Sequence, residues 1–223
     1  MSGAEATAGG RDPYHLGHVP GAPTHQYTAE HGDRAPASKR IIVGYGFWIF
    51  LLSDIIMFSA FFATYAVLVD STAGGPTGAQ LFDARNVAVE TAALLLSSFT
   101  CGLGSIGAQM HSNLWFHGAM AATFVLGVVF LGLEIHEFAG LVAQGAGPTR
   151  SAFLSAFFSL VGCHGLHVTV GLLWLLTMMA QVVAKGYRAD IQRRILCFSL
   201  FWHALDIIWV GLFTVVYLMG ISR

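Results

Sequence analysis

Residues 41–69 read IIVGYGFWIFLLSDIIMFSAFFATYAVLV, with one charged residue, Asp54, in a run of 29. A helix needs ~20 residues to cross ~30 Å of hydrocarbon, so this run spans a bilayer once with length left for tilt. Backbone amides find no partners in lipid, so the run is expected to be helical. Four more runs of the same kind follow, at 87–110, 114–138, 151–183 and 195–221. None is long enough to cross twice. The sequence therefore predicts an all-α integral membrane protein, a bundle of five transmembrane helices over residues 39–223.

The rest of the composition agrees. Of 223 residues, 55% are apolar and only 10% charged, against about 25% charged in a typical soluble chain. The mean hydropathy is +0.66. A net charge of −1 does not suit nucleic acid, which calls for a basic surface. Cys101, Cys163 and Cys197 each lie in an apolar run and form no Cys-x-x-Cys pair, so neither a disulfide framework nor a zinc ribbon is indicated. Residues 1–38 differ: Gly, Ala and Pro, scattered charge, four histidines (His15, His18, His25, His31) and no apolar period. They are expected to form a disordered tail, not a signal peptide, since no short apolar region with a cleavage box is present.

Basic residues orient the bundle. Arg11, Arg34, Lys39, Arg40, Lys185, Arg188, Arg193 and Arg194 fall on one side, eight of eleven; Arg85, Arg150 and Arg223 fall on the other. The positive-inside rule then places the N-terminus in the cytoplasm and the C-terminus in the periplasm. Trp48, Trp115 and Trp202 near cytoplasmic ends, and Tyr217 near an outer end, suit an interfacial aromatic belt.

The polar residues that lipid should reject carry the functional question. A carboxylate at mid-bilayer costs ~2.5–3.5 kcal/mol on insertion scales. Asp54 stands roughly 20 Å down the first helix and Asp206 roughly 16 Å down the fifth, at about 1.5 Å per residue. Glu90 lies near the outer end of the second helix. Glu134 and Glu137, His164 and His167, and His203 and Asp206 are each spaced i,i+3, so each pair shares a helix face. The economical arrangement turns these faces toward one another as one histidine–carboxylate network. Three roles are open to it: fixing helix packing, binding lipid headgroups or relaying protons beside a partner, and holding a di-metal centre. The last normally uses Glu-x-x-His on each of two helices, whereas here Glu pairs with Glu and His with His.

Two motifs mislead. Gly102-Leu103-Gly104-Ser105-Ile106-Gly107 matches the dinucleotide fingerprint, yet it sits inside an apolar helix with no strand before it and no acid ~20 residues on. A close-packed small-residue face fits it better. Ser97-Ser98 has no nucleophile-elbow context, so a serine hydrolase is not supported.

Four segments resemble subunit III of the heme–copper respiratory oxidases: GFWIFLLSDIIMFSAFFATYAVLV, FLGLEIHEF, GPTRSAFLSAFFSLVGCHGLHVTVGLLW and SLFWHALDIIWVGLFTVVYLMG. The Thr-Ala-Gly-Gly-Pro-Thr-Gly loop and the five-helix length look most like the ubiquinol oxidase branch; a five-helix cytochrome c oxidase subunit III shares most of the motifs. The resemblance implies a subunit with no heme, copper or catalytic residue of its own. It would pack directly beside subunit I, which holds heme and copper, with subunits II and IV in the same complex of a bacterial inner membrane. It would bind phospholipid in a cleft and sustain turnover of a proton-pumping oxidase that reduces oxygen to water. Asp54 matches the family's carbodiimide-reactive acid, where many relatives have Glu. Glu137 matches the third-helix acid, His164 and His167 the His-Gly-Leu-His motif, and Trp202, His203 and Asp206 the Trp-His-x-x-Asp motif. Lys39, Arg40, Arg85 and Arg150 are the cations available to lipid phosphates. From other classes, a free-standing di-metal membrane enzyme and a small transporter are the competing readings.

Overall fold

The computed structural model describes residues 39–75 and 84–218. The tail expected over 1–38 lies outside the described residues, as do the side chains of Lys39 and Arg40. Five helices account for nearly all the rest: α1 Lys39–Leu68, α2 Ala84–Gln109, α3 Asn113–Ala143, α4 Ala152–Lys185 and α5 Ala189–Leu212, with a π-helical turn over Phe213–Leu218. All five are long and apolar enough to cross a membrane.

Two helices outrun their apolar segments. The third continues past Phe138 to Ala143, where Leu141 is still buried. The fifth begins at Ala189 rather than Ile195, because its first turns bury Ile191 while presenting Arg194 outward. Residues 139–143 (AGLVA) carry no charge and simply prolong the apolar run, whereas in α5 helical hydrogen bonding continues through the charged residues Asp190, Arg193 and Arg194. The connection between α3 and α4 is therefore the short Gln144–Ser151 stretch, not the longer 139–150 loop. Gly145, at φ +75°, reverses the chain there, and Ser151 caps α4 by accepting the Leu154 N–H at 3.2 Å. Gly186, at φ +69°, ends α4.

The helices close a ring in the order α1, α4, α3, α2, α5, with α4 and α5 also packed against each other across it. The core is aromatic, with Trp202, Trp209, Phe157, Phe198 and Phe130 all buried. Glycine makes room for the largest of them. A Cβ at Gly127 of α3 would fall 3.1 Å from Trp202, and one at Gly171 of α4 would fall 2.9 Å from it. Trp202 is thus wedged between two neighbouring helices, and its indole N–H donates to Ser97 Oγ at 3.1 Å. This corrects the interfacial reading of Trp202, and Tyr217 is likewise buried rather than part of a belt. Trp48 and Trp115 do point outward.

The glycines of the false dinucleotide motif lie within continuous helix. Gly104 faces Met120 and Gly107 the backbone of Phe116, each closer than 3.0 Å to where a Cβ would stand. They allow the α2–α3 hairpin to pack closely.

Candidate functional site

The polar residues do not form one network. They sort into three groups, each positioned by different helices.

The first group lies toward the outer end. Glu90 of α2 and Glu134 of α3 are buried, Glu137 of α3 is half-buried, and all three are close enough to interact electrostatically. Tyr217, in the π-helical turn that follows α5, and Tyr65 of α1 stand in the same neighbourhood. Tyr65 donates to the Val216 carbonyl at 3.4 Å. The Glu134 carboxyl group lies on Gly165 of α4, where a Cβ would come within 2.8 Å of Oε2. Among the described residues, neither oxygen of Glu90 nor Oε2 of Glu134 has a hydrogen-bond partner.

His164 sits beside this group without joining it by a hydrogen bond. It is fully buried, and neither ring nitrogen has a hydrogen-bond partner among the described residues. Aromatic rings enclose it instead: Phe58 of α1 at 6.3 Å, Phe130 of α3 at 5.9 Å and Trp209 of α5 at 5.2 Å between centroids. Helical spacing placed His164 on an interior face correctly, but an interior face in this bundle is mostly aromatic.

The second group joins α1 to α4. Asp54 is half-buried and within electrostatic range of Cys163. His167 packs edge-on to Phe58 at 5.2 Å. Its Nδ1 lies 2.7 Å from the Cys163 carbonyl. A carbonyl only accepts, so Nδ1 carries the proton and donates. Asp54 does not join a histidine as the single-network arrangement expected: among the described residues it makes no hydrogen bond to an imidazole.

The third group lies between α2 and α5. Ser98 Oγ is 2.7 Å from His203 Nδ1, and Asp206 lies close enough to Ser98 and His203 to interact with them electrostatically. Ser98 is buried, while His203 and Asp206 are half-buried and line an open groove of about 380 Å³ with Phe99, Leu103 and Ile106. The i,i+3 pairing of His203 with Asp206 was legible in sequence, but the serine of α2 that bonds His203 was not. A polar residue inside the apolar run of α2 was the available signal.

Among the described residues, no group of three His, Cys, Asp or Glu side chains is placed to hold a metal ion. The geometry offers the reason: His164 is caged by rings, His167 is committed to a carbonyl and His203 to a serine. Chemically, the three groups can fix helix positions, and the third can also meet something outside the bundle. Of the four cations suggested for lipid phosphates, Arg85 and Arg150 are exposed at the ends of α2 and before α4.

Comparison with known proteins completes the picture. Residues 26–221 match the family described as cytochrome c oxidase subunit III. A Pseudomonas aeruginosa protein named cytochrome bo(3) ubiquinol oxidase subunit 3 is 53% identical over 176 residues, covering 79% of this chain and 84% of the relative. A Bacillus subtilis protein named quinol oxidase subunit 3 is 41% identical, covering 87% of this chain and 98% of the relative. A Bacillus sp. protein named cytochrome c oxidase subunit 3 is 42% identical, covering 86% and 95%.

Proposed function

The chain belongs to the heme–copper oxidase subunit III family, non-catalytic membrane subunits of respiratory oxidase complexes, and we propose that it serves this role in a proton-pumping ubiquinol oxidase of a bacterial inner membrane. The observation that carries the choice of electron donor is the 53% identity to a relative named as a ubiquinol oxidase subunit, against 42% to one named for cytochrome c. In this reading the chain binds subunit I directly, in a complex with subunits II and IV. Subunit I holds the heme and copper. The N-terminus is cytoplasmic and the C-terminus periplasmic, with residues 1–38 a disordered tail.

The three polar groups support assembly rather than catalysis. Glu90, Glu134, Glu137 and His164 gather where α2, α3 and α4 pack together. Asp54 and His167 join α1 to α4. His203 and Asp206 join α5 to α2. Phospholipid fills the outer grooves, its phosphates near Arg85 and Arg150 outside and Lys39 and Arg40 inside. Of the apolar window of α1, 11% is buried, against 44% for α2 and α5. So bare a helix needs lipid or a neighbouring subunit against it.

The test is to purify the oxidase with and without this chain. Redox centres are held by their own ligands in the partner, so heme content and initial turnover should survive its loss while activity over repeated cycles or assembly fails. Immediate loss of a heme or copper centre from an otherwise assembled complex would overturn the reading. Oxidation of ubiquinol but not of reduced cytochrome c by the intact complex would support the quinol branch, and the reverse would select the cytochrome c branch.

A further inference from the structure

The end of α2 and the start of α5 enclose a cavity of about 550 Å³ on the face that carries the basic cluster. Gln109 and His111, from α2 and the turn after it, stand at the helix ends with Gln192 and Arg193 of α5. Ser105 and Ser199 line the cavity deeper in; Ser199 is about 9 Å further along α5 than Arg193 at ~1.5 Å per residue. All six side chains can donate a hydrogen bond, and among the described residues no carboxylate lines the space.

Two of these groups are left without a partner. Arg188 pairs with Asp190 at 3.7 Å, and Arg194 donates to Gln181 Oε1 at 2.9 Å. Arg193 is half-buried and forms neither a hydrogen bond nor an ion pair among the described residues. Hydroxyls in these helices commonly return a bond to their own backbone, as those of Ser59, Thr91 and Thr169 do. Ser105 Oγ is shut off from solvent and makes no hydrogen bond among the described residues. At the mouth, by contrast, Gln192 is held by His111 Nε2 at 3.1 Å. The His111 backbone stands at φ +55°, a conformation uncommon outside glycine, so the turn keeps an imidazole at the cavity at some cost in strain.

We propose that this cavity binds a phosphate group, with Arg193 as its counter-charge and Gln109, Gln192 and His111 as hydrogen-bond donors to its oxygens. An apolar occupant would leave the guanidinium and Ser105 unmet, and a cation would be repelled by Arg193. A carboxylate brings only its two oxygens to donors spread over two helices, whereas a phosphate carries ester oxygens besides its anionic ones. The phosphate can belong to a lipid headgroup at the bilayer surface, its glycerol reaching toward Ser105 along the apolar wall of Ile195 and Leu196. It can equally be a dissolved phosphate, which presents the same oxygens. The site is separate from Lys39, Arg40, Arg85 and Arg150 and stands on residues of this chain alone, whichever donor the oxidase uses.

The experiment uses the full-length tagged chain, purified with its associated subunits in a phosphate-free maltoside detergent. In one arm it is dialysed to equilibrium against radiolabelled inorganic phosphate. In the other it is illuminated with a photoreactive phosphatidylglycerol, or with the matching diacylglycerol that lacks the phosphate, and labelled peptides are mapped. Labelling of the 105–111 and 189–199 peptides by phosphatidylglycerol but not by diacylglycerol would identify a lipid headgroup. Saturable binding of inorganic phosphate that also suppresses this labelling would identify a site for dissolved phosphate. For whichever probe binds, Arg193→Gln should weaken binding about fivefold, the contribution of one basic residue near a membrane surface. Arg193→Lys should restore most of it. Arg194→Gln removes the same charge outside the cavity and should leave binding unchanged. Should Arg193→Gln fail to accumulate, Ser105→Ala decides, with an expected loss of about two- to tenfold for one hydrogen bond. Binding of neither probe, equal labelling by diacylglycerol with no phosphate bound, or equal losses with Arg193→Gln and Arg194→Gln would overturn the proposal.

Discussion

The carboxyl group of Glu134 on α3 rests against the backbone of Gly165 on α4, so close that a methyl group at Gly165 would stand 2.9 Å from the carboxyl carbon. Glycine at this point is a matter of space rather than of dihedral angle, since Gly165 is within regular helix. The contact sets the separation of α3 and α4 at the level where Glu90 and Glu137 also gather.

Gly165→Ala is therefore expected to destabilise the bundle by about 1–3 kcal/mol, the usual cost of overpacking a filled interior. Glu134→Ala on its own removes the obstacle. The double variant should accordingly be less damaged than the sum of the two single ones, because residues in contact couple. Unfolding of the purified protein in mixed micelles, run as a double-mutant cycle, measures this. Strict additivity would show that the contact does not govern helix spacing.

Trp202 offers a second test, because two effects at one side chain can be separated. Trp202→Phe keeps much of the ring between Gly127 and Gly171 but loses the bond to Ser97, so a loss of about 0.5–1.5 kcal/mol is expected. Trp202→Ala leaves a cavity and should cost about 3–5 kcal/mol. Gly171→Val should resemble the alanine variant in severity, since its side chain would enter the space of the indole. Equal stabilities for the Phe and Ala variants would mean that the wedge contributes little.

These positions also show how far the sequence could be read. The five spans were legible because lipid leaves a backbone no alternative to the helix, and each apolar run marked one helix, although α3 and α5 extend beyond theirs. That Glu134, His164 and Asp206 face inward or toward a neighbour followed from their cost in lipid. Which neighbour each one meets did not follow, because i,i+3 spacing defines a face and says nothing about the helix opposite. His164 thus met Phe58, Phe130 and Trp209 rather than a carboxylate. Trp202 and Tyr217 were read as interfacial from residue type and position, yet core volume claimed both. Ser98, dismissed with Ser97 as a nucleophile, instead bonds His203 across from α2 to α5.

A smaller polar contact can be weighed the same way. Thr100 of α2 and Thr123 of α3 share a hydrogen bond of 2.8 Å between hydroxyls, and Thr123 is fully buried. Thr123→Val keeps the shape and removes the bond. Interhelical hydrogen bonds within membranes average about 0.6 kcal/mol, so the variant should be only slightly less stable. A loss well beyond that, in the same micelle unfolding assay, would indicate that Thr123 holds more of the hairpin than one bond.

Sidedness is the last prediction, and the fold constrains it before any charge is counted. The Phe153 N–H donates to the Ser71 carbonyl at 3.3 Å, so the connection after α1 lies beside the start of α4, on one face. The Gln192 side-chain amide reaches His111 Nε2 at 3.1 Å, so the α2–α3 turn lies beside the start of α5, on the other. Lys185, Arg188, Arg193 and Arg194 all cluster on this second face. By the positive-inside rule that face is expected to be the cytoplasmic one. Cys101, Cys163 and Cys197 lie within spans, so introduced thiols can be followed after their replacement by alanine or serine. A cysteine at Gly147 should react with a membrane-impermeant maleimide in spheroplasts whose inner membrane is intact. A cysteine at Arg188 should react only once that membrane is permeabilised. The opposite pattern would turn the bundle over and place the basic cluster outside. Arg85 and Arg150 would then be the cytoplasmic cations, and the assignment of lipid phosphates to each face would have to be exchanged.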